Sequence, residues 1–385
     1  MKKALVMASV ASMIDLFNME NIKILRSRGF EVHVACNFES GSITSQARVD
    51  EFRDELENAG IKTYHIPVPR KTSSIKDIIR SYRLVKEMCK KNKYLIVHCH
   101  SPIGGVITRF ACKDERRFGT KVIYTAHGFH FFKGAPLKNW MLYYPLERWC
   151  ARFTDVLITI NREDYDRAKK SFRAKKVEYI HGIGIDTMKF GNTVIDKKLK
   201  HRQLGIPEDA FVLLSVGELN KNKNHAILIR ALAKLNNTNI HYFIVGHGDL
   251  QSYLIELANS LGVAQTVHIL GYRNDVGEFC KMADIFCFPS FREGLSVALM
   301  ESMAASLPVV CSNIRGNNDL IENVKGGFLV KPDDADGFAL AIEKMMNDKA
   351  LRYQQGLNNL EFIKYFDIAA VSTEMETIYG GQNHL

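Results

Sequence analysis

The stretch from Phe288 to Ala305, FPSFREGLSVALMESMAA, places one glutamate before a predicted helix and a second glutamate within it. Glu293 stands directly before Gly294, and Glu301 follows eight residues after Glu293. If most of that interval is helical, a rise of about 1.5 Å per residue separates the two carboxylates by roughly 12 Å. The amides of residues 294–297 are then the unpaired amides of the helix start.

This arrangement suits a sugar nucleotide. Free amides and the positive end of the helix dipole would hold a diphosphate, while carboxylates accept hydrogen bonds from sugar hydroxyls. The apolar runs 284–288 and 309–311 predict buried strands on either side, and ligands of parallel sheets bind at the carboxyl ends of the strands. The alternative is an amphipathic helix that carries two solvated glutamates.

Short apolar runs alternate with helical stretches along the whole chain, which predicts an α/β fold with two open parallel sheets. In the first half the predicted strands are Ala4–Ala8, Glu31–Cys36, Thr63–Ile66, Leu95–Cys99, Val122–Thr125, Val156–Ile160 and Val177–Ile180. In the second half they are Phe211–Val216, Ile240–Val245, Val267–Leu270, Asp284–Phe288, Val309–Cys311 and Phe328–Val330.

The polar, Gly-rich segment 181–200 marks the predicted domain boundary. We expect a first domain over 1–186, a second over 187–366, and a C-terminal helical segment over 367–385 that can cross back to the first domain. Two such domains facing each other would leave a cleft with strand ends on both sides.

The composition, 46% hydrophobic and 24% charged, is that of a soluble globular protein. No apolar run reaches the roughly 18 residues of a transmembrane helix. The eight cysteines stand singly, without a C-x-x-C pair, which favours buried free thiols in a reducing cytoplasm over disulfides or a zinc site.

The charge is concentrated in the first half: residues 1–187 carry +13 and residues 188–385 carry −3 of the total +10. A basic half predicts an anionic partner, and membrane phospholipid or a polyisoprenyl diphosphate fits better than nucleic acid, whose motifs are absent. We therefore expect a cytoplasmic protein that can contact the anionic inner face of the plasma membrane. The aromatic stretch 129–144, beside Lys133 and Lys138, could dock at that membrane or pack on its own domain.

Five motifs of the second half resemble, in order and spacing, the donor domain of family 4 retaining glycosyltransferases of GT-B fold. They are VGELNKNKN at 216–224, VGHG at 245–248, GYRNDV at 271–276, the E-x7-E helix, and GFLV at 327–330. HCHS at 98–101 and TAHGF at 125–129 extend the resemblance to the first half. Enzymes that build bacterial capsular or exopolysaccharide units on a lipid carrier are the most similar in appearance.

The resemblance implies roles for individual residues. Glu293 would bind hydroxyls of the donor sugar, Lys223 a donor phosphate, and His127 would border the reacting sugar, so these three are the catalytic candidates. The other donor-binding candidates are Gly217, Lys221, Gly246, Asn274, Gly294, Leu295, Ser296, Val297 and Glu301, with the diphosphate on the backbone of 294–297 and the ribose on Glu301. The acceptor-side candidates are His100, Ser101 and Ser12.

One departure from the family pattern concerns Glu218, which stands where many relatives carry an arginine that helps to clamp the diphosphate. Either Lys221 supplies the second positive charge, or Glu218 turns away and pairs with a neighbouring cation. The glycine pair usual after the first strand is replaced by residues 9–13, SVASM, which leaves the approach of that loop to a ligand open.

The sequence therefore predicts a GT-B glycosyltransferase, with two Rossmann-like domains, that moves a sugar from a UDP-sugar to a lipid-linked saccharide with retention. No cofactor and no metal are expected, because lysine and a helix terminus would neutralise the diphosphate; the D-x-D pairs at 164–166 and 334–336 are interpreted as structural. A GT-B epimerase of UDP-N-acetylhexosamine and a non-catalytic sugar-nucleotide-binding subunit remain as alternatives. The donor sugar, the acceptor, the linkage and the oligomeric state stay open.

Overall fold

A computed structural model describes residues 2–69 and 74–380, and its strands form two parallel sheets. Residues 381–385 of the predicted C-terminal segment lie outside the described residues. The strands of the first sheet are β1 (Lys2–Val10), β2 (Phe30–Asn37), β3 (Lys62–His65), β4 (Ile96–His100), β5 (Lys121–Ala126), β6 (Val156–Thr159) and β7 (Lys176–Tyr179). Those of the second sheet are β8 (Phe211–Val216), β9 (Ile240–Val245), β10 (Val267–Ile269), β11 (Ile285–Phe288), β12 (Val309–Ser312) and β13 (Gly327–Val330).

Helices connect these strands. Up to β8 they are α1 (Ala11–Phe17), α2 (Met19–Ser27), α3 (Gln46–Asn58), α4 (Ile75–Asn92), α5 (Pro102–Ala111), α6 (Leu137–Cys150), α7 (Arg162–Ser171), α8 (Thr187–Gly191) and α9 (Lys197–Gln203). After β8 they are α10 (His225–Leu235), α11 (Gln251–Ser260), α12 (Val276–Met282), α13 (Val297–Ala304), α14 (Asn317–Leu320), α15 (Ala335–Asn347), α16 (Lys349–Phe362) and α17 (Ile368–Gly380). Short 3-10 helices lie at Glu115–Phe118, Ala151–Phe153, Ala264–Thr266 and Ile363–Phe366.

The predicted α/β fold is confirmed, and every predicted strand is present with its ends shifted by at most two residues. The chain divides into two compact units, one formed by Met1–Ile183 and Ala369–Leu385 and the other by Gly184–Ile368. The N-terminal part of the first unit thus ends three residues before the predicted boundary, and the unit includes α17 from Ala369 onwards. In that unit the hydroxyl of Tyr379 on α17 lies 2.7 Å from Nδ1 of His98 on β4.

The strands consist of nearly continuous apolar residues because helices cover both faces of each sheet. In the second unit, Val212 and Leu214 of β8 belong to the core on one face. Leu213, between them, belongs to the core on the other face. This alternation follows from the period of two residues along a strand.

Each sheet reverses its strand order once. The first sheet runs β3-β2-β1-β4-β5-β6-β7 and the second β10-β9-β8-β11-β12-β13. The reversals lie between β1 and β4 and between β8 and β11. The crevice outside the carboxyl ends of such a strand pair is where doubly wound sheets bind ligands.

All eight cysteines lie within the described ranges, are buried and are free, as predicted. Among the described residues, no helix combines the length and apolarity that crossing a bilayer requires.

A buried ion pair fixes α6 to α5. Arg109 is fully buried, and its Nη2 donates to Oε2 of Glu147 at 2.8 Å. The guanidinium lies 3.9 Å from the ring centroid of Tyr124, whose hydroxyl donates to the same carboxylate at 3.3 Å. Loss of one partner would leave the other charge buried without compensation, which is far more costly than loss of both.

We therefore expect Glu147→Ala to lower the free energy of unfolding by about 3–5 kcal/mol. The matched control is Glu361→Ala, which removes an exposed carboxylate paired with Lys364 and should change stability by no more than about 0.5 kcal/mol. Urea denaturation of both variants measures the difference. Equal, small effects would contradict the role given to the buried pair.

Candidate functional site

Two loops of the second unit meet at the carboxyl ends of β8 and β11. The backbone amide of Phe291 donates to the carbonyl of Asn222 at 2.8 Å, and Nδ2 of Asn222 donates to the carbonyl of Arg292 at 2.9 Å. Nδ2 of Asn224 donates to the carbonyls of Pro289 at 3.1 Å and Pro332 at 2.8 Å. These bonds hold the loop after β8 against the loops after β11 and β13.

Lys223 and Glu293 form an ion pair across these two loops. Nζ of Lys223 lies 2.8 Å from Oε1 of Glu293, and the two side chains are 20% and 13% exposed. The ammonium also lies 4.6 Å from the ring centroid of Phe288. An ammonium has three donors, so Lys223 can keep Glu293 and bind a further anion as well. The structure thus brings together two of the predicted catalytic residues, which are 70 positions apart in the chain.

Glu218 takes part in the same loop through Asn220. Nδ2 of Asn220 donates to Oε2 of Glu218 at 2.8 Å, and Oδ1 of Asn220 accepts from the amide of Lys223 at 3.0 Å. The Glu218 side chain is exposed. In the described structure the Glu218 carboxylate therefore accepts from the side-chain amide of Asn220, and the same amide group orients the backbone of Lys223. The pairing of Glu218 with a neighbouring cation, one of the two alternatives from the sequence, is not what the structure shows.

Two glycines let neighbouring loops approach closely. A Cβ on Gly246 would lie 1.9 Å from the carbonyl oxygen of Gly217, so only glycine fits where the loops after β9 and β8 meet. A Cβ on Gly316 would lie 2.3 Å from the carbonyl oxygen of Gly294, and Gly316 has φ +84°. Both contacts bring the backbone of Gly217, Gly246 and Gly294 together at the strand ends.

Helix α13 begins at Val297, three residues later than Gly294. The cause is Ser296, whose hydroxyl accepts from the amide of Leu299 at 3.3 Å and caps the helix. The amides of residues 294–298 donate no hydrogen bond to any of the described residues. Gly294, Leu295 and Ser296 therefore offer their amides from a turn, and Val297 offers its own from the helix start.

Glu301 lies on the second turn of α13 and is partly buried. Burial raises the pKa of its carboxyl from 4.5 to about 7, against the opposing charge of Lys189. Within the described structure no group donates a hydrogen bond to this carboxylate. Its acceptor capacity is therefore available to a ligand.

The remaining donor-side candidates are exposed. Lys221 lines a hollow of about 370 Å³ together with Tyr253 and Phe291. Asn274 lies in the loop after β10, which a bond of 2.8 Å from the amide of Gly246 to the carbonyl of Gly271 joins to the loop after β9. No contact within the described residues connects either side chain to the Lys223–Glu293 pair.

Sequence reasoning missed one cation at this edge. Nε of Arg315, in the loop after β12, donates to the backbone carbonyl of Glu293 at 3.2 Å. Arg315 follows the carboxyl end of a predicted strand, so the rule that singled out the other strand ends would also have found it. It is a second candidate, beside Lys221, for the positive charge that Glu218 does not supply.

Two neutral histidines lie at the carboxyl edge of the first sheet. Nδ1 of His100, at the end of β4, is 3.2 Å from Nε2 of His127, which follows β5. Burial lowers the pKa of His127 to about 4 and that of His100 well below its ordinary value. At pH 7 both rings are therefore neutral and supply no charge. His98 is structural, as its bonds to Tyr379 and Thr125 show.

The serines of this edge hold loops together. Ser101 has φ +69° at the start of α5, and its hydroxyl accepts from the amide of Ser9 at 3.4 Å. Such a conformation costs a non-glycine residue of order 1–3 kcal/mol and persists where neighbouring structure enforces it. Ser12 is buried, and its hydroxyl accepts from the amide of Ile43 at 3.1 Å. The Ser12 side chain thus has a partner inside its own unit.

Both D-x-D pairs have structural partners. Asp334 caps α15 by accepting from the amide of Gly337 at 2.8 Å. Asp164 is buried and accepts from the amide of Phe129 at 2.9 Å. Among the described residues, no group of three or more His, Cys, Asp and Glu side chains is placed to hold a metal ion.

Comparison with known proteins identifies the family. The model of "Glycosyl transferase 4-like domain" matches residues 18–182, and that of "Glycosyl transferases group 1" matches residues 196–361. EpsD of Bacillus subtilis (strain 168), which its name places provisionally among the glycosyltransferases, is 37% identical over 382 residues, covering 98% of this chain and 96% of that protein. The chain belongs to the family 4 glycosyltransferases.

A second relative of this glycosyltransferase has a more specific name. The UDP-Gal:alpha-D-GlcNAc-diphosphoundecaprenol alpha-1,3-galactosyltransferase of Escherichia coli is 29% identical over 371 residues, with 94% of this chain and 92% of that protein covered. Among solved structures, HepE of Anabaena in complex with UDP-glucose superposes with a TM-score of 0.77 at 18% identity, covering 98% of this chain and 99% of HepE. That likeness shows the fold, and the glycosyltransferase therefore has the two Rossmann-like domains of the GT-B class.

The raised pKa of Glu301 predicts a pH-dependent stability of the glycosyltransferase. Because the folded state binds this proton more tightly than the unfolded state, the stabilisation is complete below pH 4.5 and is lost as the pH rises to about 7. Glu301→Gln removes the loss. We expect the variant to exceed the unsubstituted protein at pH 8 by up to about 3 kcal/mol and to match it near pH 5.

Urea unfolding midpoints at pH 5 and pH 8 check this expectation. Glu322→Gln, at a carboxylate that is 73% exposed, is the matched control and should show no such pH dependence. A difference between Glu301→Gln and the unsubstituted protein that stays constant with pH would contradict the burial of Glu301.

Proposed function

We propose that this chain moves a hexose or N-acetylhexosamine from a UDP-sugar to a lipid-linked saccharide, with retention of anomeric configuration and without a metal. The proposed setting is the biosynthesis of a cell-surface polysaccharide, capsular or extracellular, at the cytoplasmic face of the plasma membrane. The observation that carries the proposal is the Lys223–Glu293 pair beside the free amides of residues 294–298.

Groups before and within α13 would bind different parts of a sugar nucleotide. The amides and Lys223 would bind the diphosphate, Glu293 would accept from hydroxyls of the donor sugar, and Glu301 from those of the ribose. Gly217, Gly246 and Asn274 would shape the nucleotide side. Lys221 or Arg315 would supply the second positive charge, and single alanine substitutions at these two positions decide between them.

In the reaction, the bond between the anomeric carbon and the β-phosphate oxygen breaks, and the acceptor oxygen bonds to the anomeric carbon on the same face. The proton of the acceptor hydroxyl passes to a phosphate oxygen of the departing UDP. Lys223 and the amides stabilise the charge that develops on that leaving group. Neutral His127 would hold a donor-sugar hydroxyl, with His100, Ser101 and Ser12 on the acceptor side.

The relatives support the substrate classes. The name of the Escherichia coli relative states a UDP-sugar donor and an undecaprenyl-diphosphate-linked acceptor. CapM of Staphylococcus aureus, named for capsular polysaccharide biosynthesis, is 25% identical over 373 residues. The basic charge of residues 1–187 supports contact with the anionic membrane that holds such an acceptor.

The first test is a panel of nucleotide sugars in a thermal-shift assay, followed by product formation with a lipid-linked saccharide. A UDP-sugar should raise the melting temperature as its concentration exceeds its dissociation constant. A transferase needs the acceptor for product, whereas an epimerase converts the donor alone and a binding subunit does neither. No shift with any nucleotide or nucleotide sugar would contradict the proposal.

Lys223→Ala should lower kcat by roughly 100-fold or more, because one preorganised charge on a leaving group is worth at least that much. The matched control is Lys234→Ala, at a half-exposed lysine whose ammonium pairs with Asp336 on the surface. Steady-state transfer rates at saturating donor measure the difference. Equal rates for the two variants would exclude Lys223 from the clamp.

A further inference from the structure

Helix α6 turns an apolar face to solvent. Leu137, Met141, Leu142 and Trp149 are 74%, 72%, 56% and 43% exposed, and Pro145 is exposed with them. At 100° per residue these positions fall within roughly 140° of the helix circumference. With Lys138 and Arg148, which lie in the same arc, they form a continuous strip that we name the α6 outer face.

The opposite side of α6 is committed to packing. Trp140, Tyr143 and Tyr144 pack against the core of the first unit. The guanidinium of Arg167 lies 4.5 Å from the ring centroid of Trp140. Trp140 and Tyr144 therefore pack on their own domain, whereas the Trp149 ring contacts Phe110 and Phe153 and stays 43% exposed. The exposed part of the aromatic stretch consists mainly of its aliphatic and basic residues.

The charge of this face has one sign. Lys138 and Arg148 are exposed within it, and Lys133 and Arg152 flank it. The one acidic residue between positions 133 and 153 is Glu147, which is buried against Arg109. Glu163, which accepts from the backbone amide of Lys133, is paired with Arg167. The face is therefore apolar and cationic, with no exposed carboxylate of its own.

An anionic bilayer surface matches this combination. Apolar side chains enter the boundary between headgroups and acyl chains, cations attract anionic lipid, and tryptophan favours the same depth. Contiguous exposed apolar surface that is rimmed by polar residues is typical of a protein or membrane interaction site. Helix α6 also begins after the carboxyl end of β5, in the segment that follows His127, so its first turns share an edge of the sheet with the acceptor-side candidates.

We infer that the α6 outer face docks on anionic phospholipid, with Leu137, Met141 and Trp149 inserted and Lys138 and Arg148 at the headgroups. The inference deepens the proposed function, because a lipid-linked acceptor must be reached at a membrane. Vesicle binding requires neither donor nor transfer, so the docking surface and the proposed reaction can fail separately.

Tryptophan fluorescence tests the inserted depth, because the chain has two tryptophans, Trp140 and Trp149. In Trp140→Phe the emission comes from Trp149 alone, and it should shift to the blue and be quenched by brominated acyl chains in phosphatidylglycerol vesicles. In Trp149→Phe the packed Trp140 should respond little. Vesicle binding of the Trp140→Phe chain with no change in Trp149 emission would overturn the inference.

Co-sedimentation of the full chain with vesicles tests the side chains independently of the probe. Binding should be strong to phosphatidylglycerol vesicles, weak to phosphatidylcholine vesicles, and reduced by salt. The double substitution Lys138→Gln/Arg148→Gln should weaken it about 25-fold, from about 1 kcal/mol for each cation. Leu137→Ser/Met141→Ser should weaken it roughly tenfold or more.

The matched control is Leu340→Ser on α15 of the second unit, where a leucine that is 66% exposed should be replaceable without effect on vesicle binding. Thermal unfolding of all variants should remain a single cooperative transition like that of the unsubstituted chain, which verifies folding. No sedimentation with anionic vesicles at low salt, or equal loss in Leu340→Ser, would overturn the inference. Binding to an acidic protein with no binding to vesicles would assign the face to a protein partner and overturn it too.

Discussion

The ion pair between Lys223 and Glu293 is the interaction on which the second unit's site depends. It joins two loops that leave neighbouring strands at the point where the strand order reverses. Because both side chains are largely buried and lie 2.8 Å apart, each holds the other in place. The backbone bonds of Asn222 and Asn224 fix the same loops, so the pair is held before any ligand arrives. Such preorganisation is what electrostatic stabilisation of a leaving group needs.

The first unit supplies a different kind of chemistry. His100 and His127 are neutral at physiological pH because burial disfavours their charged forms. A neutral imidazole pair can recognise hydroxyl groups without attracting the diphosphate that Lys223 and the α13 amides are suited to bind. The difference in charge between the histidine pair of the first unit and the ion pair of the second therefore follows from burial and from which cations are present.

Much of the fold was predictable from sequence because fully buried parallel strands leave continuous apolar runs such as 211–216 and 240–245. The start of α13 could not be predicted in the same way. The sequence allows the helix to begin at any residue from 294 to 297, and the structure shows that Ser296 caps it, so that it begins at Val297. The ion pair between Lys223 and Glu293 could not be predicted either, because the two residues are 70 positions apart and only the folded sheet brings their loops together. The position of Glu218 beside Asn220, and the direction in which α6 turns its leucines, also depend on tertiary packing that no local pattern encodes.

The most direct test of the account is a crystal structure of the chain bound to UDP. The account predicts the diphosphate at the amides of residues 294–298, with a phosphate oxygen on Nζ of Lys223 and the ribose hydroxyls on Glu301. A nucleotide bound elsewhere, or a diphosphate that leaves Lys223 and these amides without contact, would contradict it.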